Sequence, residues 1–121
     1  MYVSSDLVGL LSGDLSVLSR VEGAAARFGK KVQIASDASH AFDRSDVEQP
    51  ELLIIDLSSP SLDIESIVKE CRSNQAGQTR VIAFGPHVHE NRLAAAREAG
   101  CDLVVSRGQF FAQLDTLLQG P

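Results

Sequence analysis

The stretch Leu52-Leu53-Ile54-Ile55-Asp56-Leu57-Ser58-Ser59-Pro60-Ser61-Leu62-Asp63 decides how the rest of the chain is read. Four aliphatic side chains in succession, without polar alternation, predict a strand over Leu52–Asp56 that is buried on both faces. The run stops at an acid. A carboxylate ending such a strand is costly unless it emerges into a polar pocket, which makes Asp56 the leading site residue. The plainer reading is local, with Asp56 capping the loop that follows.

Working outward, Arg80-Val81-Ile82-Ala83-Phe84 is a second apolar run, closed by Gly85-Pro86, and Asp102-Leu103-Val104-Val105-Ser106 is a third. Helical spacing lies between them. Ile64, Ile67, Val68 and Cys71 fall at i, i+3, i+4 and i+7 behind Asp63 as N-cap. Leu93, Ala96 and Ala99 repeat the pattern, with Gly100 placed for a left-handed C-terminal residue. Phe110, Leu114, Leu117 and Leu118 predict a last helix before Gly120-Pro121. Towards the N-terminus, Leu7–Leu11 reads as a strand ended by Ser12-Gly13. Asp14 caps a helix with Leu18, Val21, Ala25 and Phe28 on one stripe, and Gly29 ends it. Lys31–Ala35 alternates and is expected at a sheet edge, and residues 39–48 are expected to form a short helix holding Ala41 and Phe42 inward. Five strand–helix units predict a parallel α/β sheet with helices on both faces, joined by right-handed crossovers.

Length and charge narrow the function. At 121 residues the chain is read as one domain, 1–121. A formal charge of −5 argues against a nucleic-acid partner, which would call for a basic face. No apolar run reaches the roughly 18–20 residues of a membrane helix, and Met1–Asp6 lacks the basic start of a secretory signal. Cys71 and Cys101 are too few for a disulfide scaffold, so a cytoplasmic, reduced protein with no membrane association is expected. Cys71 belongs to an apolar stripe and Cys101 precedes a strand; neither has a base beside it to make it a nucleophile. His87-Val88-His89 has metal-like spacing, but no third ligand stands nearby, and helix entry is its ordinary role.

In an open α/β sheet ligands sit beyond the carboxyl ends of the strands. The residues there are Ser12, Gly13 and Asp14, then Asp56, then Gly85, then Ser106 and Arg107. Ser12-Gly13-Asp14 at a helix start offers backbone N–H groups to an anion, although Asp14 would repel a phosphate.

The segment from Leu52 to Asp63 resembles the third strand and following loop of response-regulator receiver (CheY-like) domains, with Asp56 at the phospho-acceptor position and Pro60 four residues on. Ala99-Gly100-Cys101-Asp102 resembles the family's segment before its fifth strand. The resemblance implies a flavodoxin-like doubly wound five-stranded sheet of order 2-1-3-4-5. It also implies two-component signalling or a phosphorelay, a histidine kinase or downstream protein as partner, and Mg²⁺ held by Asp14 and Asp56.

The departures from that family point elsewhere. Ser12-Gly13-Asp14 stands where receivers carry an acidic pair, Gly85 where they carry Thr or Ser, and Arg107-Gly108 where they carry Lys-Pro. Val104 replaces the switch aromatic. The expectation is a stand-alone, degenerate receiver that is not an enzyme, requires no cofactor and acts through protein contacts. Its expected docking face includes Glu90, Arg92, Arg97, Glu98, Arg107 and Gln109. Arg107, a permanent planar cation, is expected to pair with Asp56 in place of the metal and lock one conformation. Two alternatives stand beside it: a working receiver phosphorylated on Asp56 with Mg²⁺, and an anion- or ligand-binding module with a deep cavity at the strand ends.

Overall fold

The computed structural model describes residues 3–35, 49–59, 63–73 and 79–119. The chain alternates strands β1 (Val3–Leu11), β2 (Lys31–Ala35), β3 (Gln49–Asp56), β4 (Arg80–Gly85) and β5 (Leu103–Ser106) with helices. The helices are α1 (Leu15–Arg27), α2 (Ile64–Ser73), α3 (Glu90–Ala99), α4 (Arg107–Ala112) and α5 (Leu114–Gln119). The short helix expected over 39–48, with His40, Ala41 and Phe42, and the loop residue Pro60 lie outside the described residues.

The five strands form one parallel sheet in the order β2-β1-β3-β4-β5, as expected. Its two faces follow from side-chain alternation along each strand. Val8, Leu10, Leu52, Ile54, Ile82 and Phe84 pack against α1, α4 and α5. Leu11, Leu53, Ile55, Val81 and Ala83 pack against α2 and α3. Both faces of the central strands are therefore dry, which is why Leu52–Ile55 reads as an unbroken apolar run. Phe84 stacks on Phe110 with ring centroids 4.2 Å apart and anchors α4 to the sheet.

Several boundaries differ from the sequence reading. β1 begins at Val3 rather than Leu7, because Val3 and Ser4 pair with Gln49 and Pro50 before a register shift ahead of Val8. The buried stripe of α1 is Val17, Val21, Ala24 and Ala25, with Leu18 and Phe28 half-buried at its edge. The last helix is two, since the Gln113 N–H is shared between the Gln109 and Phe110 carbonyls. Shared bonds of this kind are common where a helix tightens at its end. Gly100, at φ 101°, ends α3 in the left-handed conformation that glycine adopts without penalty.

β5 is a short edge strand, and Asp102 sets its start. Its N–H donates to the Val81 carbonyl at 2.8 Å, and its carboxylate accepts from the Val81 N–H at 2.7 Å. No helix among the described residues is long and apolar enough to cross a membrane.

Candidate functional site

β1 and β3 are neighbours in the sheet, so their ends bring Ser12 and Asp56 side by side. Asp56 is 2% exposed and Ser12 is 1% exposed. The Ser12 hydroxyl donates to Asp56 Oδ2 at 2.8 Å, and the Ser58 N–H donates to Asp56 Oδ1 at 2.9 Å. Asp56 thus lies at the end of a buried strand and caps the turn that follows. A buried carboxylate needs such donors, since burial without them costs far more than a hydrogen bond returns.

The Ser12 hydroxyl also accepts the Asp14 N–H at 3.1 Å. Asp14 is the N-cap of α1, and its Oδ1 accepts the Ser16 N–H at 2.8 Å and the Ser16 hydroxyl at 2.9 Å. Those bonds, the Ser16 hydroxyl foremost, hold the Asp14 carboxyl below its ordinary value, and Arg107 lowers it further. Gly13 sits between them, exposed, with open space where a side chain would project.

Arg107 does not pair with Asp56. Its guanidinium pairs with Asp14 Oδ2 at 3.2 Å and reaches the Ser16 hydroxyl at 3.4 Å. It also lies 5.3 Å from the centre of the Phe111 ring, over which Arg20 stands at 3.9 Å. The physical reason is desolvation. Asp56 is buried and already accepts at both oxygens, whereas the Asp14 side chain is 40% exposed and offers an oxygen at the rim. An ion pair at the rim removes less water from the two charges. Arg107 and Asp56 are instead joined through a chain of hydrogen bonds: Arg107 to Asp14, the Asp14 N–H to Ser12, and Ser12 to Asp56.

On the other side of Asp56, the Leu57 N–H donates to the Phe84 carbonyl at 2.8 Å and continues the pairing of β3 with β4. The Leu57 side chain lies over Gly85, so a Cβ on Gly85 would meet Leu57 Cβ at 3.2 Å. The space beside Gly85 is taken by the Leu57 side chain. Val104 is half-buried against the α2 and α3 side. The Ser59 hydroxyl, also in this turn, is buried and has no hydrogen-bond partner among the described residues.

Of the residues expected on a docking face, three are engaged within the fold. Arg92 donates to the Leu57 carbonyl at 2.7 Å, Arg107 pairs with Asp14, and Gln109 completes a capping box with Ser106 at the start of α4. Glu90, Arg97 and Glu98 are exposed on α3. His89 stands at the N-cap of α3 without a side-chain capping bond, and His87 is exposed. Among the described residues no three His, Cys, Asp or Glu side chains gather as a metal site. Cys71 is buried and Cys101 half-buried. The sequence reading missed the Leu57 packing and the Arg92 contact. Neither carries a local signal, because each joins residues far apart in sequence.

No family model matches the chain, and no curated protein matches it. Solved structures do. The receiver domain of the sensor histidine kinase PA1611 from Pseudomonas aeruginosa PAO1, with a magnesium ion in its active-site cleft, superposes with a TM-score of 0.77 at 19% identity, covering 96% of both chains. A response regulator from Hahella chejuensis gives 0.79 at 15% identity over 93% of this chain and 92% of that one. A CheY-like receiver domain protein from Methanospirillum hungatei JF-1 gives 0.72 at 15% identity, over 95% and 94%. With five parallel strands in the order 2-1-3-4-5, layered by helices on both sides, the chain has the response-regulator receiver (CheY-like) fold.

Proposed function

We propose that the chain is a cytoplasmic signalling module of the receiver type, with Asp56 at the phospho-acceptor position, that acts through contacts with a protein partner rather than by conventional phosphoryl switching. The partner class is a histidine kinase or a downstream signalling protein, and no catalysis is assigned to the chain. The observation that carries the reading is the state of Asp56, buried with both oxygens hydrogen-bonded inside the fold. Phosphoryl transfer depends on positioning and on neutralising charge at the transferred group, and the internal hydrogen bonds of Asp56 argue against its serving as an open acceptor.

The PA1611 receiver domain holds magnesium in its cleft. The contacts within this chain argue against a tight site for that ion. Mg²⁺ prefers octahedral oxygen coordination anchored by carboxylates. Here Ser12 offers a hydroxyl already donated to Asp56, Gly13 offers no side chain, and both Asp14 oxygens are engaged by Ser16 and Arg107. The anion-binding alternative loses support on similar grounds, since the N–H groups of Asp14 and Ser16 are taken by side chains within the loop. Of the strand ends where its cavity was expected, the space beside Gly85 is taken by Leu57, while Gly13 faces open space.

The test is incubation of the full chain with Mg²⁺ and a small phosphodonor such as acetyl phosphate, read by intact mass. No phosphoryl adduct is expected. Stoichiometric, acid-labile phosphorylation of the wild type that is lost in Asp56→Asn would overturn the reading and establish the working phosphorelay receiver instead.

A further inference from the structure

Arg92 has a role that the reading above leaves unused. It lies in the first turn of α3, on the far side of Asp56 from Arg107, and its guanidinium donates to the Leu57 carbonyl at 2.7 Å. Leu57 is otherwise immobilised, its N–H bound to the Phe84 carbonyl and its side chain 3% exposed against Gly85.

The carbonyl of Leu57 and the N–H of Ser58 belong to one peptide group, which is planar and moves as a unit. The Ser58 N–H of that group donates to Asp56 Oδ1 at 2.9 Å. One rigid plate therefore carries the Asp56 carboxylate at its N–H end and the Arg92 guanidinium at its C=O end. The two bonds polarise the same amide in the same sense, an anion drawing on the donor and a cation on the acceptor, and such bonds strengthen each other. A charged acceptor makes the stronger bond, so a loss of charge at Asp56 would weaken the first bond and, through the shared amide, the second.

We propose that the Leu57–Ser58 peptide and Arg92 form a two-ended coupling that carries a change of charge at Asp56 to α3. Arg92 is a positioning residue in this device. The affected surface is a cleft of about 420 Å³ lined by Val88, His89, Glu90, Asn91 and Arg92. Val88 is 71% exposed there, so a displaced Arg92 changes the charge beside an apolar contact point. The coupling goes beyond the signalling reading and holds whichever event alters Asp56. Uptake of a phosphodonor and arrival of a charge change at α3 are separate measurements, and either can fail while the other succeeds.

The experiment compares backbone amide NMR spectra of the full chain with and without Asp56→Asn, first in the native background and then in Arg92→Gln. Asparagine preserves the shape of the side chain and removes its charge. In the native background, shifts are expected at Ser12 and Ser58 and along Glu90–Ala99. In Arg92→Gln the shifts at Ser12 and Ser58 remain and those of α3 are lost. Arg92→Lys, which keeps a charged donor, restores part of the α3 response. Equal α3 shifts in both backgrounds, or none in the native one, overturn the proposal. If Asp56→Asn fails to fold, the coupling is read from its other end: Arg92→Gln in the native chain is expected to shift the Ser58 amide, and an unmoved Ser58 amide overturns the proposal.

Discussion

Gly85 and Leu57 show what one residue decides. That a glycine ends the fourth strand is legible in the sequence. That the space beside it is taken by Leu57 is not legible, because periodicity assigns a face and never a packing neighbour. Placing a hydroxyl there is therefore not a matter of one substitution. A Cβ at 85 would approach Leu57 Cβ to 3.2 Å, tighter than ordinary contact. Gly85→Thr is expected to cost about 1–3 kcal/mol by overpacking, measured by urea unfolding. Because the two side chains compete for one volume, Gly85→Thr with Leu57→Ala should cost less than the two changes summed. Strict additivity would show that Leu57 is not the obstacle. Arg107 teaches a similar point. Its cation at a strand end was visible, but its choice of Asp14 over Asp56 depends on which carboxylate remains near water, and that is a tertiary property.

The helix starts were the most legible elements, because a cap is a local event. Asp14 and Asp63 were both recognisable as caps, and both serve. Asp63 accepts the Ser66 N–H at 3.2 Å and the Ser66 hydroxyl at 2.8 Å. Both carboxyls are held below their ordinary value of 3.8, in each case chiefly by a serine hydroxyl two or three residues on. The sign follows from linkage. A carboxyl whose folded pKa is depressed contributes fully above 3.8, and the contribution disappears as pH falls through the lower folded value. Stability should thus decline on acidification below 3.8, and Ser16→Ala should shallow that decline by weakening the Asp14 bonds. Melting temperatures of the two proteins between neutral and strongly acidic pH check it, and parallel curves would contradict it. The end of the chain was less legible. The spacing of Phe110, Leu114, Leu117 and Leu118 continues across Gln113, since the Leu117 N–H returns to the Gln113 carbonyl, so one apolar pattern serves two short helices.

At the scale of the whole molecule, the sheet separates two apolar layers that share its central strands. Strand identity and parallel alternation were legible because buried runs and capped helices are written locally. The order 2-1-3-4-5 was expected from family resemblance, since pairing is a long-range choice. Phe110 joins helix to sheet through its stack on Phe84. Phe110→Ala is expected to cost about 3–5 kcal/mol, a large part of the roughly 5–15 kcal/mol that holds a domain folded. Urea unfolding should show it as one shifted transition, since a shared sheet leaves neither layer able to survive alone, and two separated transitions would refute this. The bracket that Asp102 forms around Val81 has a further consequence. A four-residue strand at an open margin has little of its own to prevent sliding. A slip of one position turns each side chain to the opposite face and displaces the strand by about 3.3 Å. Arg107 follows directly on that strand, so its meeting with Asp14 depends on an aspartate at the opposite end, acting as the peg that keeps the ruler from moving.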